Sequence, residues 1–367
     1  MLHRKATGSR LALVFGQTIC EIAWKNSDTI HGGGKMPVAS SNEGRLFGRF
    51  TEKLGRAAKG VGSRLIKRTR ADNAWDRLMD EVQHKRFVEN HASSLQGMHA
   101  YYNRRVVGHE NLHYLHYFLQ KYLAGRSNLA IGSYGSGGGH LERTLIDMGF
   151  PCALIEGFEL NPRLVEASNI KAAEIGAHYL KYFESDLNNP NLPVGRYDVG
   201  IFFHSLHHVE RVDECLAAAK ESLKDDGLLL VVDFVGATQH QWTDQQLAIA
   251  QGLLQALPKR YRVVGKRQQV KSKLRRPSIR EVVRADPSEA IRSEYLLPAL
   301  RAQFNELELK SLGGTILNHV FGDIAGNFDE EREEDRRLIR ILQDMEQWFE
   351  EAGYLPPDFV FGVYSKK

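Results

Sequence analysis

The sequence predicts an α/β protein built on a seven-stranded, mostly parallel sheet with helices on both faces. Three observations predict it. From Asn128 onward, short apolar runs alternate with helical patterns, the signature of βαβ units. A glycine cluster between Gly132 and Gly139 joins the first of those runs directly to a helical one. The chain has 367 residues, 42% of them hydrophobic, enough to fill one large α/β core with additions.

The strand candidates come in order: Leu129 to Gly132, Ala153 to Glu159, His178 to Glu184, Tyr197 to Phe203 and Gly227 to Val235. Leu145 falls in the first intervening helix, Leu164 to Ile175 form the second and Val212 to Leu223 the fourth. A further pair, Glu306 to Ser311 and Phe359 to Tyr364, closes the sheet. The organisation expected is a basic extension over 1–72, a helical cap over 73–127, the α/β core over 128–236, a substrate-cap insertion over 237–304 and a core-completing segment over 305–367. Trp75 to Leu123 is aromatic-rich and helical in pattern, as helices covering a sheet are.

Composition narrows the classes. Cys20, Cys152 and Cys215 are odd in number and widely spaced, so neither a disulfide framework nor a zinc site is suggested, a reducing, cytoplasmic compartment is expected, and no metal is assigned. The apolar run Leu11 to Ile22 is too short to span a bilayer. Net charge is only +4, but basic blocks lie at Arg45 to Arg70 and Lys259 to Arg284. Within the first block, Leu46, Phe47, Phe50, Leu54, Ala57, Val61 and Leu65 recur at helical spacing among Arg and Lys. Residues 46–66 therefore offer peripheral contact with the inner face of an anionic membrane, beside the plainer reading of a helix packed on the main domain or a tail without fixed structure.

The segment from Leu129 through Gly139 to Glu142 runs from strand through clustered glycines into a helix. Such a turn permits positive φ and brings backbone N–H groups close to a ligand. Glu159 follows Gly137 by 22 residues, at the end of the second strand, where a carboxylate accepts both hydroxyls of a ribose. To this point a dinucleotide site fits equally. After the third strand, the Asp186 side chain beside the Leu187 main chain suits an adenine edge.

The order of glycine turn, Phe158-Glu-Leu-Asn-Pro162, Ser185-Asp-Leu187, the Tyr197 to Val209 segment and the Leu223 to Gly236 segment resembles the class I methyltransferases that use S-adenosylmethionine. Beyond the shared core, the segments around Gln239 to Asp244, Asp286 to Ser293 and Gly313 to Phe328 resemble one bacterial subgroup often met near glycan-building functions. The resemblance covers the chain from about Trp75 onward. It implies a Rossmann-like fold and S-adenosylmethionine as cofactor. It implies Gly132, Ser133, Gly135 and Gly137 against the methionine and ribose parts, Glu159 and Leu160 at the ribose, Asp186 and Leu187 at the adenine, and His204 on the methionine side.

A sulfonium donor is already activated, so such an enzyme chiefly positions the partners and deprotonates the acceptor. His207 and His208, where the fourth strand opens into the acceptor cleft, are the candidate bases, with Asp233 behind them. Trp242 offers a stacking face for a sugar, or a core side chain. Arg276, Arg280, Arg284 and Arg292 flank Asp286-Pro-Ser-Glu289, read as a helix start capped by Asp286 or Ser288, and they suit an acidic group or a solvated face. His319 reads as a satisfied core histidine. The acceptor expected is a small molecule or glycan, methylated on oxygen, with no nucleic-acid partner. The alternatives are a nucleic-acid methyltransferase, which lacks its Asn/Asp-Pro-Pro-aromatic motif here, and an NAD-dependent or nucleotide-sugar oxidoreductase, which lacks a Tyr-x-x-x-Lys set after the fourth strand.

Overall fold

A computed structural model describes residues 91–265 and 269–367. The extension over 1–72, its 46–66 segment and the start of the helical cap, 73–90, lie outside the described residues.

Seven strands form the central sheet: β1 (Leu129–Tyr134), β2 (Cys152–Glu159), β3 (Leu180–Glu184), β4 (Tyr197–Phe203), β5 (Leu223–Phe234), β6 (Phe304–Gly313) and β7 (Phe359–Lys366). Their spatial order is β3-β2-β1-β4-β5-β7-β6. The pairs among β1 to β5 are parallel, and β7 runs antiparallel to both β5 and β6. The chain thus winds outward from β1 through β2 to β3, returns to the other side of β1 with β4, and winds outward again. In such a sheet the ligand crevice opens beyond the carboxyl ends of the strands where that reversal falls, here between β1 and β4.

Alternation along the strands builds a core on each face. Ile131, Ile155, Val199, Ile201, Leu230 and Phe361 point one way, against α1 (Gln96–Val107), α2 (Tyr114–Tyr122), α3 (His140–Asp147) and α4 (Pro162–Glu174). Tyr134, Phe158, Tyr197, Phe202, Leu229 and Tyr364 point the other way, against α5 (Val212–Ser222) and α8 (Leu296–Gln303). Both faces are covered, as a sheet of near-continuous apolar strands requires.

Between β5 and β6 the chain forms α6 (Asp244–Ala256) and α7 (Ile279–Ala285) before α8. A third apolar cluster joins α6 to α9 (Leu317–Phe321) and α10 (Glu333–Glu351) through Leu254, Leu317, Phe321 and Leu342. Its polar anchor is Glu346, fully buried, which accepts from the N–H groups of Gly314, Ile316 and Leu317 and from the Tyr101 hydroxyl. The cluster packs α6 of the insertion against the C-terminal helices. Among the described residues no helix is long and apolar enough to cross a membrane.

Candidate functional site

The sequence reading ends β1 at Gly132 and starts the turn there. The strand instead continues to Tyr134. Gly132 lies inside the sheet, where a Cβ would stand 2.7 Å from the Tyr197 ring, so its bareness serves packing and not ligand approach. Ser133 is buried in the same strand, beside the Glu142 carboxyl. The turn is Gly135 to Gly139, with Gly135, Gly137 and Gly139 all at positive φ. At Gly135 the need is absolute: φ is +76° and a Cβ would meet the Ser205 Cβ at 2.5 Å.

Hydrogen bonds tie three strand ends together there. Gly135 and Ser136 N–H donate to Phe158 O at 2.8 and 3.0 Å, Gly137 N–H donates to Glu159 Oε2 at 2.8 Å, and Asn161 N–H donates to Glu159 Oε1 at 2.9 Å. The Ser205 hydroxyl donates to Tyr134 O at 2.6 Å. Glu159 is thereby held across the mouth of the turn, with Leu160 half-buried beyond it. Leu187 Cδ1 comes within 3.6 Å of the Gly135 Cβ position. Asp186 accepts from Asn188 N–H at 2.9 Å in an Asx turn, and Asn188 in turn accepts from Glu210 and Arg211 N–H. Gly135, Gly137, Glu159, Asp186 and Leu187 thus line the strand ends from β1 to β3. The buried Ser136 Oγ has no hydrogen-bond partner among the described residues. A polar acceptor such as a carboxylate would satisfy it, so the turn fits the head of a nucleoside amino acid.

His204 follows β4 with φ +53° and is buried edge-on to Phe203 and Phe359. Burial, and then the His207 charge, push its pKa down to about 4 against the opposing Asp233 carboxylate. It is a neutral wall of the site.

His207, His208 and Asp233 do come together. Asp233, fully buried at the end of β5, accepts from Ser205 and Leu206 N–H on Oδ2 and from Phe234 N–H and His207 Nδ1 on Oδ1, the last at 2.5 Å. Burial opposes a charge on His207, but the Asp233, Glu289 and Asp286 carboxylates together raise its pKa. Burial and the His207 charge lower that of His208. Burial also opposes charge on Glu289, but His240 and the other histidines bring its pKa down to about 2.

The sequence reading missed half of this constellation. Glu289 and His240, both about 1% exposed, arrive from the insertion, with His240 Nε2 3.1 Å from Glu289 Oε1. Gln239 N–H donates to Ala290 O and Ile291 N–H to His207 O, stitching the insertion to β4. Gln239, His240 and Ala290 all sit at positive φ, a conformation that costs non-glycine residues about 1 kcal/mol or more each and that clusters at functional sites.

The expected helix start at Asp286 is corrected. Ser278 caps α7 through a reciprocal bond pair with Glu281, and the helix ends at Ala285. Asp286 then folds an Asx turn, accepting from Ser288 N–H at 2.7 Å and from its hydroxyl at 2.6 Å. Trp242 is 6% exposed, stacked on His240 and edge-on to His319, so its ring is packed inside and presents no open face. His319 is half-buried, its Nε2 has no hydrogen-bond partner among the described residues, and burial pushes its pKa down to about 3. Arg276 donates to Trp242 O and pairs with Asp244, Arg292 donates to Glu210 O and lies over Tyr295, and Arg280 and Arg284 are exposed. The four do not converge on the histidine group.

The family described as "Methyltransferase domain" matches residues 133–231, from the end of β1 through most of β5. No curated protein matches the chain. Among solved structures, the chain is similar to the MccD protein at 12% identity and TM-score 0.40, over 69% of this chain and 96% of that one. It is similar to YcgJ from Bacillus subtilis at 15% identity and TM-score 0.39, over 69% and 98%. It is similar to an S-adenosylmethionine-dependent methyltransferase from Mesorhizobium loti at 13% identity and TM-score 0.38, over 67% and 94%.

Proposed function

We propose, from the premise that residues 133–231 are a class I methyltransferase domain, that this protein methylates a hydroxyl of a small-molecule or glycan-type acceptor using S-adenosylmethionine. The observation that carries the reading is the junction at the β1/β4 strand ends. There a left-handed glycine turn bonded to Glu159 lies one residue contact, Gly135 on Ser205, from the group of His207, His208 and Asp233.

The donor supplies a methyl already activated on a sulfonium. Gly135, Ser136 and Gly137 would take its amino-acid and ribose parts, Glu159 the vicinal hydroxyls, and Asp186 with Leu187 the base. His204, neutral and buried, gives the methionine side an uncharged wall, which does not repel a cationic donor. Asp233 orients His207 through Nδ1, so Nε2 carries the lone pair, and Ser288 does the same for His208 at 3.0 Å. The histidine pair draws the acceptor proton away from oxygen. Oxygen is favoured because a hydroxyl needs such help at neutral pH, whereas a neutral amine already carries its lone pair. The free thiols Cys152 and Cys215 suit a reducing cytoplasm.

The test is calorimetric titration of the full chain with S-adenosylmethionine, followed by incubation with labelled donor and nucleotide sugars or lipid-linked sugars. Glu159→Gln should weaken donor affinity about tenfold to a hundredfold, the worth of charged hydrogen bonds. Absence of heat with the wild type, or equal affinity in the variant, overturns the reading.

A further inference from the structure

The histidine group is built in two layers. The inner layer is His207 Nε2, His208 Nε2 and the Glu289 carboxylate, whose candidate ligand atoms all lie within 4.8 Å of one another. His207 Nε2 is 3.7 Å from Glu289 Oε1 and His208 Nε2 is 4.0 Å from Oε2, too long for hydrogen bonds. The outer layer grips each inner residue from behind. Asp233 holds His207 Nδ1, Ser288 Oγ holds His208 Nδ1, and His240 Nε2 holds Glu289 Oε1. Because Ser288 gives its own hydroxyl proton to Asp286, it accepts from His208, and the His208 lone pair is turned inward at Nε2. Outer carboxylates and hydroxyls of this kind orient and tune metal-ligating histidines.

Two further facts point to an occupant. The buried His207 Nε2 and Glu289 Oε2 have no hydrogen-bond partner among the described residues, and each such orphan costs about 1–3 kcal/mol. Asp233, Asp286 and Glu289, none more than 1% exposed, form no ion pair with a lysine or arginine among the described residues. A buried patch of three carboxylates with no lysine or arginine against it has room for a cation.

We propose that His207, His208 and Glu289 bind a divalent transition-metal ion at the acceptor end of the site. Two imidazoles and one carboxylate with a fourth position open form the donor set of catalytic zinc, while magnesium and calcium take oxygen shells. Ligands about 2.0–2.1 Å from zinc in a tetrahedron stand about 3.4 Å apart. The 3.7 and 4.0 Å separations therefore close by about half an ångström, and the widest pair by no more than about 1.4 Å, within reach of small side-chain rotations. His208 is the one ligand with appreciable exposure, at 13% of its side chain. The inference rests on the methyl-transfer reading for its purpose and replaces the histidine pair as base: with both Nε2 lone pairs on the ion, an acceptor hydroxyl bound there would become acidic and would lose its proton to water.

The experiment uses full-length, tag-free protein treated with chelator and titrated with zinc against a chromophoric competitor. Cobalt(II) serves as a spectroscopic probe of histidine ligation. One ion per chain is expected, with a zinc-dependent rise in melting temperature. Glu289→Gln should lose both, and Ser288→Ala should weaken zinc binding about tenfold or more, as outer-layer changes do. If Glu289→Gln fails to fold, His208→Gln at the least buried ligand carries the same test. No stoichiometric ion in the wild type, or binding unchanged in Glu289→Gln or His208→Gln, overturns the site. Calorimetry with S-adenosylmethionine on the same samples separates the two readings. Donor binding without zinc sinks the metal site alone. Zinc without donor binding upholds the metal site and sinks methyl transfer.

Discussion

Replacing Asp233 by asparagine tests whether one buried carboxylate organises the β4/β5 end of the site. Asp233 is 0% exposed and every one of its four partners is a donor: Ser205 N–H at 3.0 Å, Leu206 N–H at 2.7 Å, Phe234 N–H at 2.7 Å and His207 Nδ1 at 2.5 Å. Asparagine brings one acceptor oxygen and one NH2. With the nitrogen toward Ser205 and Leu206, two buried N–H groups face a donor. With it toward His207, Phe234 N–H is orphaned and the ring must surrender its Nδ1 proton. Either orientation leaves one or two buried donors unsatisfied, at about 1–3 kcal/mol each, or about 2–6 kcal/mol once the lost charge-assisted bonds are included. For a domain of this size that is a fall in melting temperature of roughly 5–20 °C. Calorimetric melting measures it, and hydrogen exchange locates it, since the Ser205 and Leu206 amides should exchange about ten- to a hundredfold faster. A fall under about 2 °C with those amides still protected would refute the argument, because the donors would then have found other partners.

Gly135→Ala should cost about 2–4 kcal/mol and most donor affinity, since an alanine at φ +76° drives its Cβ to 2.5 Å from Ser205, whereas Gly176→Ala, at φ +69° with open space around it, should cost only about 1 kcal/mol. Equal melting shifts for the two would contradict the close approach. Burial, then the Glu346 and Glu350 charges, raise the Asp358 pKa to about 8. The sign follows from linkage: a carboxyl raised in the folded state binds more protons than the unfolded one, so its contribution is intact near pH 4 and lost as pH climbs toward 8. Asp358→Asn should match the wild type near pH 4 and gain about 2–5 kcal/mol by pH 8, read from urea unfolding at each pH, and no gain at pH 8 would count against a raised Asp358. Burial, then the His99 and His116 charges, lower the His113 pKa to about 4, and its Nδ1 caps α2 by accepting from Leu115 N–H. The folded state therefore resists protonation, and up to about 3 kcal/mol present above pH 6.5 is lost as pH falls toward 4, an acid sensitivity that His113→Asn, still a capping residue, should blunt.

The sheet was legible because its strands are nearly unbroken apolar runs. Tyr197–Phe203 was read with its observed bounds, and the other strands differ at their ends for local reasons. β3 starts at Leu180 because the chain turns at Gly176 and Ala177. β5 starts at Leu223 because that side chain, fully buried, pairs with Tyr197 before the bulge that carries the exposed Asp225 and Asp226. Polar residues in that bulge hide the early start from any apolar pattern. The antiparallel direction of β7 followed from no local signal, since direction is fixed by the route of the chain through α10.

The site was legible only where one segment carries its chemistry. Glu159 and Asp186 stand at strand ends, so finding the strand finds the residue. Gly132 misled because sequence does not distinguish a glycine bared for a turn from one bared for the Tyr197 ring across the sheet. Glu289 and His240 were placed in the substrate-cap insertion without a role, because their function exists only where two parts of that insertion meet the loop after β4. A partial signal was present. Ser278 and Glu281 spell a capping box, which assigns the helix start there and frees Asp286, before Pro287, for an extended conformation that ends the helix. An acid next to such a turn, followed by buried Ala290, is then aimed inward by the chain and not by a helix face. The constellation is therefore a property of tertiary closure: any change that unseats the insertion from β4 should scatter His240 and Glu289 while leaving Glu159 and the glycine turn intact.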